Sequence, residues 1–561
     1  MTKKEKSPAA NRAGGGLSTA GTGVDNSILT HPNEENNSEN NSQTLDLQGM
    51  VEEAFTPRHV LELEKAQAQT IPPVRPGEKL DQLSSERVLR ALAREEVGDA
   101  EMLVELYEGR IVYDHGARAW YLWDSHGWER DRAGMLRKLV SGQLAWQYRS
   151  LAADLFLEAD GKGKEERDAL EKQAEALTKR ARGLRRLGRI RNVLELAQSW
   201  AGITGDEWDA DPWLLGVENG VIDLRNGSFR AGRPKDYIRT RAPVTWLGLH
   251  EPAPRWERFI LEVMDGDQER ADFLQRLLGY GITGLRREHI LPVLWGEGRN
   301  GKDTLLETLS AVLGDVAGPV SEDVLLDSGR RRTAGAASPH LLDLQGRRLA
   351  WVSETNEGAR LNAGQVKLIT GGGTINARPL YGAPVRFRPT HLLLLITNHK
   401  PHAPADDYAL WKRLVLVEFS LSFVEHPTEP NERKADLDLA RKLRAEASGI
   451  LAWLVRGCLA YQIQGLNPPK SVRAATEQYR AAEDTLGAFI DQCCITGVGK
   501  RVRAAELYNA YATWAERGRE KPMRREVFGQ KMKKRFESGR DKHGIFYRGI
   551  GLLSSAQKPG V

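Results

Sequence analysis

The 561-residue chain contains little cysteine and no long apolar stretch. Its three cysteines, at positions 458, 493 and 494, exclude a disulfide framework and a cysteine-rich metal site, and they are typical of a reducing compartment. No uninterrupted apolar run reaches the ~18 residues that a transmembrane helix needs. The N-terminal residues MTKKEKSPAANRAGGG lack the apolar core of a secretory signal. We therefore expect a cytoplasmic protein without a membrane partner.

The chain also lacks a strong overall charge, because 81 Lys and Arg residues nearly balance 76 Asp and Glu residues, which leaves a net charge of +5. The positive charge is concentrated in two places. Residues 500–548 contain 15 basic and six acidic residues, and residues 179–191 contain seven basic residues and no acidic ones. Such local fields favour a polyanionic partner. For the second run, a solvated helix face is an equally good explanation.

Local patterns divide the first half of the chain into two regions. Residues 1–85 are polar and low in complexity, as in NEENNSENNSQ, and predict a disordered tail. Residues 86–250 combine helical periodicity with short alternating strands, which predicts an α+β domain. Within it, four aromatic residues between positions 120 and 128 are more typical of the core of a small sheet than of a base-stacking surface.

Three further regions follow. Residues 251–425 alternate strands and helices, which predicts an α/β domain with a largely parallel sheet. Residues 426–485 predict a helical linker or lid. Residues 486–561 form a small basic unit in which two helical segments precede the strand-like FYRGIGLL. With 40% apolar residues in the whole chain, these regions can form packed cores.

The strongest motif is ILPVLWGEGRNGKDTLLETLSAVLG, in which a buried-type strand leads into a glycine-rich turn and then into an amphipathic helix. Its central part fills the pattern G-x-x-x-x-G-K. Glycines let backbone N–H groups close around phosphate oxygens, the start of the helix offers its positive end, and the lysine reaches the β and γ phosphates. The predicted nucleotide-binding residues are Gly296, Glu297, Gly298, Arg299, Asn300, Gly301, Lys302, Asp303 and Thr304.

One position departs from this motif. Asp303 stands where Ser or Thr usually binds Mg²⁺, and Thr304 follows it. A carboxylate also binds Mg²⁺, so either residue is a candidate ligand. Asp303 would, however, add negative charge beside the phosphates.

Polar residues lie at the ends of three further predicted strands. Glu354 follows RLAWVS, where a carboxylate can orient the attacking water or hold the metal. Asn398 follows HLLLLIT, where an amide can contact that water or the γ-phosphate. Ordinary loop residues are the alternative for both. Arg413 precedes the strand Leu414–Phe419 and is either an arginine finger for a neighbouring subunit or a surface charge.

The segment between RLAWVS and HLLLLIT predicts a basic hairpin. Its arms are residues 377–379 and 384–388, and its tip is LYG. Cationic arms with an aromatic tip can hold a nucleic-acid backbone, but an ordinary surface hairpin fits equally well. The candidate DNA contacts are Arg378, Tyr381, Arg386 and Arg388.

Together these segments resemble the superfamily 3 helicases, specifically the phage and plasmid primase-helicase family that includes the poxvirus-type enzymes. The similarity is carried by GEGRNGKDT, RLAWVSE, KLITGGGTINARPLYG, LLLITNHKP and WKRLVLVEF, in the order and at the spacing of the family. It extends over roughly residues 90–555, because WDADPWLLGVENGVIDLRNG and GRIVYDHGARAWYLWDSHGW look like the helicase-preceding domain of that family.

The resemblance implies an AAA-like P-loop core that assembles as a ring, commonly a hexamer, with ATP bound between subunits. It implies that Lys302 binds phosphate, and that Glu354 is the catalytic carboxylate. Asn398 would be the polar sensor, and Arg413 the finger acting on a neighbouring subunit.

The resemblance also implies contacts to metal and to DNA. The candidate ligands of Mg²⁺ are Asp303, Thr304 and Glu354. Members often carry two adjacent acids where this chain has Ser353-Glu354, so one acid must serve both roles or the metal relies more on Asp303. Lys367 and the basic hairpin would grip single-stranded DNA.

In the same family, the region that corresponds to residues 486–561 is a small winged-helix domain that binds DNA. AAELYNAYATWAERG and RREVFGQKMKKRFES are its predicted helices, and the second presents basic residues. Such residues contact the DNA backbone or read bases. The candidate contacts are Arg524, Arg525, Lys531, Lys533 and Lys534.

The resulting hypothesis is an ATP-driven DNA helicase for replication of a phage, plasmid or mobile element in bacterial cytoplasm. Its expected partners are single-stranded or forked DNA, a replication origin, further copies of the chain, and a separate primase or polymerase. A primase of its own is not expected, because no clustered-acid strand motif occurs. The alternatives are an origin-binding initiator that uses ATP as an assembly switch, a packaging or partition translocase, and a primase.

Overall fold

The computed structural model describes residues 82–327, 337–353, 357–380, 382–518 and 522–553. Nearly all of the predicted tail lies outside these residues. The helices are α1 (Ser85–Ala93), α2 (Glu95–Leu106), α3 (Met135–Leu139), α4 (Ala145–Ala159), α5 (Lys164–Gly183), α6 (Leu187–Ala197), α7 (Pro254–Val263), α8 (Gln268–Gly281), α9 (Lys302–Leu313), α10 (Pro339–Leu342), α11 (Ala363–Thr370), α12 (Tyr408–Trp411), α13 (Leu439–Ala445), α14 (Ala447–Gln464), α15 (Lys470–Ala482), α16 (Thr485–Cys493), α17 (Ala504–Arg517) and α18 (Arg525–Arg535). Among them, none is both long and apolar enough to cross a membrane.

The strands belong to several separate sheets. They are β1 (Ile111–Asp114), β2 (Ala119–Asp124), β3 (Gly127–Arg130), β4 (Gly202–Ile203), β5 (Leu214–Val217), β6 (Gly220–Asp223), β7 (Ser228–Arg230), β8 (Arg241–Ala242), β9 (Leu291–Trp295), β10 (Ala317–Pro319), β11 (Leu349–Ser353), β12 (Ile375–Ala377), β13 (Val385–Phe387), β14 (Leu392–Thr397), β15 (Leu414–Glu418), β16 (Ser422–Val424), β17 (Glu432–Lys434), β18 (Cys494–Arg503), β19 (Ser538–Asp541) and β20 (Gly544–Leu552).

The region before the parallel sheet consists of α1–α6 and two small four-stranded sheets, with the orders β3-β2-β1-β4 and β7-β6-β5-β8. The predicted alternating strands are confirmed, because Ile111 of β1 pairs directly with Leu122 of β2. The aromatic cluster packs inward, as expected for a core. Trp123 and Trp128 are 1% and 3% exposed, and their rings meet edge to face at 5.5 Å.

The basic run at residues 179–191 spans the turn from α5 to α6, and two of its arginines point into the protein. Arg180 and Arg189 contact the buried carboxylate of Asp99 at 3.1 and 2.8 Å. The Tyr148 hydroxyl donates to the same carboxylate at 2.6 Å, and burial together with this charge raises the pKa of Tyr148. This part of the run is therefore structural, since it neutralises a buried acid.

A five-stranded parallel sheet with the order β10-β11-β14-β9-β15 organises the following region. The predicted α/β class is confirmed. All six residues of β14 are buried, as is typical of a parallel strand covered on both faces. Trp295 pairs with Thr397 and Ser353 pairs with Ile396, so β9, β11 and β14 end at the same edge. Ligands of open parallel sheets bind at this carboxyl edge.

The segment expected as a helical linker or lid contributes α13, α14 and α15, and α14 packs along α8. The Gln275 side chain donates to the Trp453 carbonyl at 3.1 Å, and the Tyr461 hydroxyl donates to Glu288 at 3.0 Å. α15 packs on β15. These helices thus form one flank of the sheet.

The C-terminal unit combines α16, α17 and α18 with a three-stranded sheet of order β18-β20-β19. The two predicted helices are confirmed as α17 and α18, and β20 contains all but the last residue of FYRGIGLL. Phe489, Tyr511 and Phe528 pack in its core, where the last two rings stack at 5.0 Å. The unit therefore has a hydrophobic core of its own.

Candidate active site at the phosphate loop

The glycine-rich loop lies where β9 ends and α9 begins, and two of its glycines are required by close contacts. Gly301 has a φ of +86°, and a side-chain carbon there would lie 2.6 Å from Cγ1 of Val263. A side-chain carbon on Gly296 would lie 2.3 Å from the Phe419 carbonyl oxygen. Any larger residue at these positions would displace the loop from its neighbours, so its shape depends on both glycines.

Lys302 opens α9 and is only 4% exposed. Its ammonium group donates to the Gly296 carbonyl at 2.7 Å and to the side-chain oxygens of Asn300 and Asn398 at 3.0 Å each. All three acceptors are uncharged. Burial therefore lowers the pKa of Lys302 to about 8, opposed only by the charge of Asp303. A phosphate would supply the negative charge that these three contacts do not provide.

Asn398 reaches the lysine from the neighbouring strand. It follows β14, which pairs with β9. The sequence pattern predicts only that Asn398 lies at the carboxyl edge, and the structure brings its side chain into direct contact with Lys302. Glu354 lies outside the described residues, one position after β11 ends at Ser353.

The side-chain amide of Asn300 is a second group suited to an anionic ligand. Asn300 is 4% exposed, and in the described part of the chain its Nδ2 atom has no hydrogen-bond partner. Buried donors without an acceptor are uncommon in folded proteins. A phosphate oxygen would satisfy this donor, so the residues of the loop fit a nucleotide phosphate.

Asp303 and Thr304 lie in the first turn of α9 and line a cavity of about 1640 Å³ beside the loop. Asp303 is exposed and Thr304 is half-buried. Carboxylate and hydroxyl oxygens are both ligands that Mg²⁺ accepts. The described residues contain no group of three or more His, Cys, Asp and Glu side chains that could hold a metal by itself. An ion at this place would therefore also take oxygens from phosphate.

The walls of this cavity come from segments that the sequence analysis did not identify. They include Arg258 of α7, Phe423 of β16, Lys434 of β17 and Leu437 before α13. The Phe423 N–H donates to the Arg299 carbonyl at 2.7 Å, which joins β16 to the loop. Leu437 is 84% exposed, and Arg258 and Lys434 are also exposed. The alternation of polar and apolar residues in SLSFV indicates a strand at β16, but it does not indicate that this strand lies beside the phosphate loop.

Arg413 lies at the amino ends of the parallel strands, whereas the loop lies at their carboxyl ends. Its carbonyl accepts a hydrogen bond from the N–H of Leu291, the first residue of β9, at 2.7 Å. The five residues of β9, at about 3.3 Å per residue, separate it from the loop by roughly 16 Å. Its guanidinium donates to the Thr370 hydroxyl at 3.1 Å and to the Ala409 carbonyl at 2.7 Å. Arg413 therefore does not contact the phosphate loop of its own chain.

The basic hairpin is confirmed as the antiparallel pair β12–β13, in which Asn376 lies opposite Arg386. β12 begins and ends two residues earlier than the predicted arm. The Arg386 and Arg388 side chains are exposed. Arg378 donates across the turn to the Gly382 carbonyl at 3.3 Å. Tyr381, the predicted aromatic tip, lies outside the described residues.

Two adjacent acidic residues before α12 form ion pairs with lysines that were predicted to contact DNA. Asp407 forms an ion pair with Lys367 at 2.6 Å. Asp406 pairs with Lys531 at 3.0 Å and with Lys534 at 3.5 Å. Partial burial tends to raise the pKa of Asp406, but the contacts with the two lysines outweigh it and the pKa is lowered. Residues predicted to contact DNA are thus engaged by carboxylates of the same chain.

The remaining basic residues of α18 divide between two sides of the helix. Arg535 donates twice to Asp484, at 2.6 and 2.7 Å. Arg524, Arg525 and Lys533 are exposed. One basic side of α18 therefore faces the acidic residues of the preceding domain, and the other faces solvent.

Comparison with known families and curated proteins places these features in context. Residues 100–265 match the family model described as "D5 N terminal like". The chain is 29% identical over 437 residues to "Putative helicase L207/L206" of Acanthamoeba polyphaga mimivirus, which covers 74% of this chain and 45% of that protein. It is 27% identical over 425 residues to "Putative helicase 022R" of Frog virus 3, covering 62% of this chain and 43% of that protein. The chain thus spans less than half the length of either relative.

These matches show that the chain is similar to viral proteins named as putative helicases, and that part of it is similar to the family described as D5 N terminal like. Among solved structures, the apo C-terminal region of NrS-1 aligns with 82% of this chain and 100% of that chain, at 10% identity and a TM-score of 0.42.

Proposed function

We propose that this protein is an ATP-dependent, ring-forming superfamily 3 DNA helicase that unwinds DNA during replication of a phage, plasmid or other mobile element. The observation that carries the proposal is the contact between Lys302 and Asn398, 3.0 Å apart at the carboxyl edge of a parallel sheet. The similarity to viral proteins named as putative helicases supports the same function.

In the proposed reaction, Lys302 and the N–H groups of the loop hold the β and γ phosphates of ATP. Glu354 accepts a proton from the attacking water, and Asn398 orients that water. The water oxygen bonds to the γ-phosphorus while the bond from that atom to the β–γ bridging oxygen breaks, which releases ADP and phosphate. Mg²⁺, when bound, spreads the developing charge over the phosphate oxygens, with Thr304 or Asp303 among its ligands.

The position of Arg413 supports assembly of several chains. About 16 Å of strand lies between Arg413 and the loop of its own chain, which is more than an arginine side chain can span. In a ring, the edge that carries Arg413 would face the phosphate loop of the next subunit. The guanidinium would then stabilise the charge that develops on the phosphoryl group. A hexamer is the expected assembly.

The DNA-handling part of the proposal rests on two basic elements. The hairpin β12–β13 presents Arg386 and Arg388 to solvent at the end of the sheet where β14 begins. The C-terminal unit has the element order helix, strand, helix, helix and two strands. This order supports the proposal of a winged helix in which α18 is the recognition helix. In this proposal the hairpin grips single-stranded DNA, and the winged helix contacts DNA at a fork or an origin.

A second candidate is an origin-binding initiator that uses ATP only as an assembly switch. Asp303 favours it, because an exposed carboxylate in the first turn of α9 would lie close to bound phosphates. Repulsion at this position would slow turnover more than it would prevent assembly. DNA-stimulated turnover argues against this candidate.

The proposed function is tested by measuring ATP hydrolysis of the purified protein with and without single-stranded DNA. We expect turnover to rise with DNA, and to be lost in Lys302→Ala because the phosphates lose their buried cation. Lys172→Ala, which removes an exposed lysine of α5, is the matched control and should behave as the wild type. ATP binding without turnover in the presence of DNA would favour the assembly switch. Absence of ATP binding would refute both candidates.

A further inference from the structure

The basic run between α5 and α6 is divided by the structure into an inner and an outer part. Arg180 and Arg189 turn inward to Asp99, and their side chains are 6% and 19% exposed. The other cations form no ion pair or side-chain hydrogen bond within the described residues, and all are exposed. These residues, here called the basic corner, are Lys179, Arg182, Arg185, Arg186 and Arg191.

The basic corner contains no acidic residue, and the nearest acids along its helices, Glu175 and Glu195, lie one turn from Lys179 and Arg191 but not from the three arginines between them. Residues 179–191 contain no Asp or Glu, and the first turn of α6 contains none either. The end of α5 favours basic residues in its last turn, which accounts for Arg182. It does not account for Arg185, Arg186 and Arg191, which lie in the turn and on α6. Like charges this close together repel one another, and an anionic partner would relieve the repulsion among Arg182, Arg185 and Arg186.

We propose that the basic corner binds the phosphate backbone of DNA and gives residues 86–250 a DNA contact of their own. Four of its five cations are arginines, whose planar guanidinium groups match phosphate oxygens in pairs. Contacts to the phosphate backbone carry no sequence information, so we expect the contact not to depend on the DNA sequence. This inference relies on the proposed function only for the choice of DNA as the polyanion.

The corner is separate from the other candidate DNA contacts. It lies on the helical part of the N-terminal region, whereas the hairpin belongs to the parallel-sheet domain and α18 to the C-terminal unit. No residue of the corner lines the cavity beside the phosphate loop. Removing its charge should therefore change DNA affinity and leave ATP turnover without DNA unchanged.

The test is the salt dependence of DNA binding by the full chain and by a triple variant, Arg182→Gln, Arg185→Gln and Arg186→Gln. Binding of a fluorescent single-stranded oligonucleotide and of a duplex is followed by anisotropy over a range of salt concentrations. Each lost phosphate contact reduces the slope of log K against log salt by about 0.7 to 0.9. We expect the slope of the triple variant to be shallower by about two to three, with weaker binding at low salt.

The matched control removes the same charge from the other half of α5 and the segment before it, with Lys162→Gln, Lys164→Gln and Lys172→Gln. All three lysines are exposed, and this segment is rich in acids. The control should keep the wild-type slope. Equal losses in both variants would mean that only net charge matters, and an unchanged slope in the triple variant would mean that the corner does not touch DNA; either result overturns the inference.

Two further readouts separate this inference from the proposed function. The thermal unfolding curve of the triple variant should match that of the wild type, because its three arginines are exposed. A double variant at Arg185 and Arg186 alone, with a slope change of about 1.5, provides the same test should the triple variant fold poorly. If neither the wild type nor the variants hydrolyse ATP but the slope still changes in the triple variant, the helicase proposal fails while DNA binding by the basic corner is supported.

Discussion

The protonation state of Lys302 should determine how tightly the protein binds nucleotide. Burial lowers the pKa of this lysine to about 8, and its three hydrogen-bond acceptors carry no charge. A bound phosphate stabilises the ammonium form, so nucleotide binds the protonated protein more tightly. Affinity should therefore be constant below about pH 8 and fall as the pH rises above it.

The size of the effect follows from the position of the pKa. With a pKa of about 8, the protonated fraction of Lys302 falls about tenfold from about pH 7 to about pH 9, which corresponds to roughly 1.4 kcal/mol of binding free energy. The Kd for nucleotide should rise by the same factor. Stability of the free protein responds in the opposite sense. The unfolded chain keeps this proton up to the ordinary pKa of 10.5, so folding becomes more favourable as the pH rises from about 8 toward that value.

The assay is the titration of a fluorescent ADP analogue at a series of pH values. Lys302→Arg is the control, because a guanidinium keeps its charge throughout this range. Its pH profile also reports every change that does not come from Lys302, including ionisation of the nucleotide itself. A wild-type profile that is flat, or that has the same slope as Lys302→Arg, would refute the reasoning.

Three further predictions concern ion pairs and the ring. Asp99→Ala should reduce the free energy of unfolding by about 3–5 kcal/mol in urea titrations, because Arg180 and Arg189 lose the buried carboxylate that they share and Arg180 is left with the exposed Glu95 as its acidic partner. The exposed Arg90–Glu86 pair should contribute less than about 1 kcal/mol when Glu86→Ala breaks it, and equal effects of the two substitutions would contradict this explanation. Asp406→Ala should free two lysines of α18 and raise the affinity for duplex DNA by up to about fivefold, and an equal gain from Asp438→Ala, an exposed acid before α13, would show that only net charge was changed. Arg413→Ala mixed with wild-type protein should reduce ATP turnover more than in proportion to its share, and simple dilution of activity would argue against a finger acting between subunits.

The phosphate loop could be predicted from sequence because its signal is local. The strand, the glycine-rich turn and the helix follow one another within 25 residues, and the strand begins one residue after its predicted start, at Leu291. Asn398 was identified for a similar reason, since the ends of parallel strands meet at one edge. Its hydrogen bond to Lys302 spans 96 positions of the chain and could not be read from spacing.

The contacts that each charged side chain forms were the least predictable feature of the structure. Seven cations between residues 179 and 191 look alike in the sequence, and the two that are structural are distinguished by their contacts with Glu95 and Asp99, more than 80 positions away. The same applies to Lys531, whose partner Asp406 is 125 positions distant. Long-range ion pairs depend on how domains pack, and no local pattern records that packing.

In the proposed mechanism, ATP turnover at the β9–α9 loop drives separation of DNA strands. It is tested most directly by incubating the protein with a labelled forked duplex and ATP and following release of the displaced strand. We expect strand release that requires ATP and is absent in Lys302→Ala, although that variant still binds the fork. Binding of the fork with ATP turnover but without strand release would contradict it.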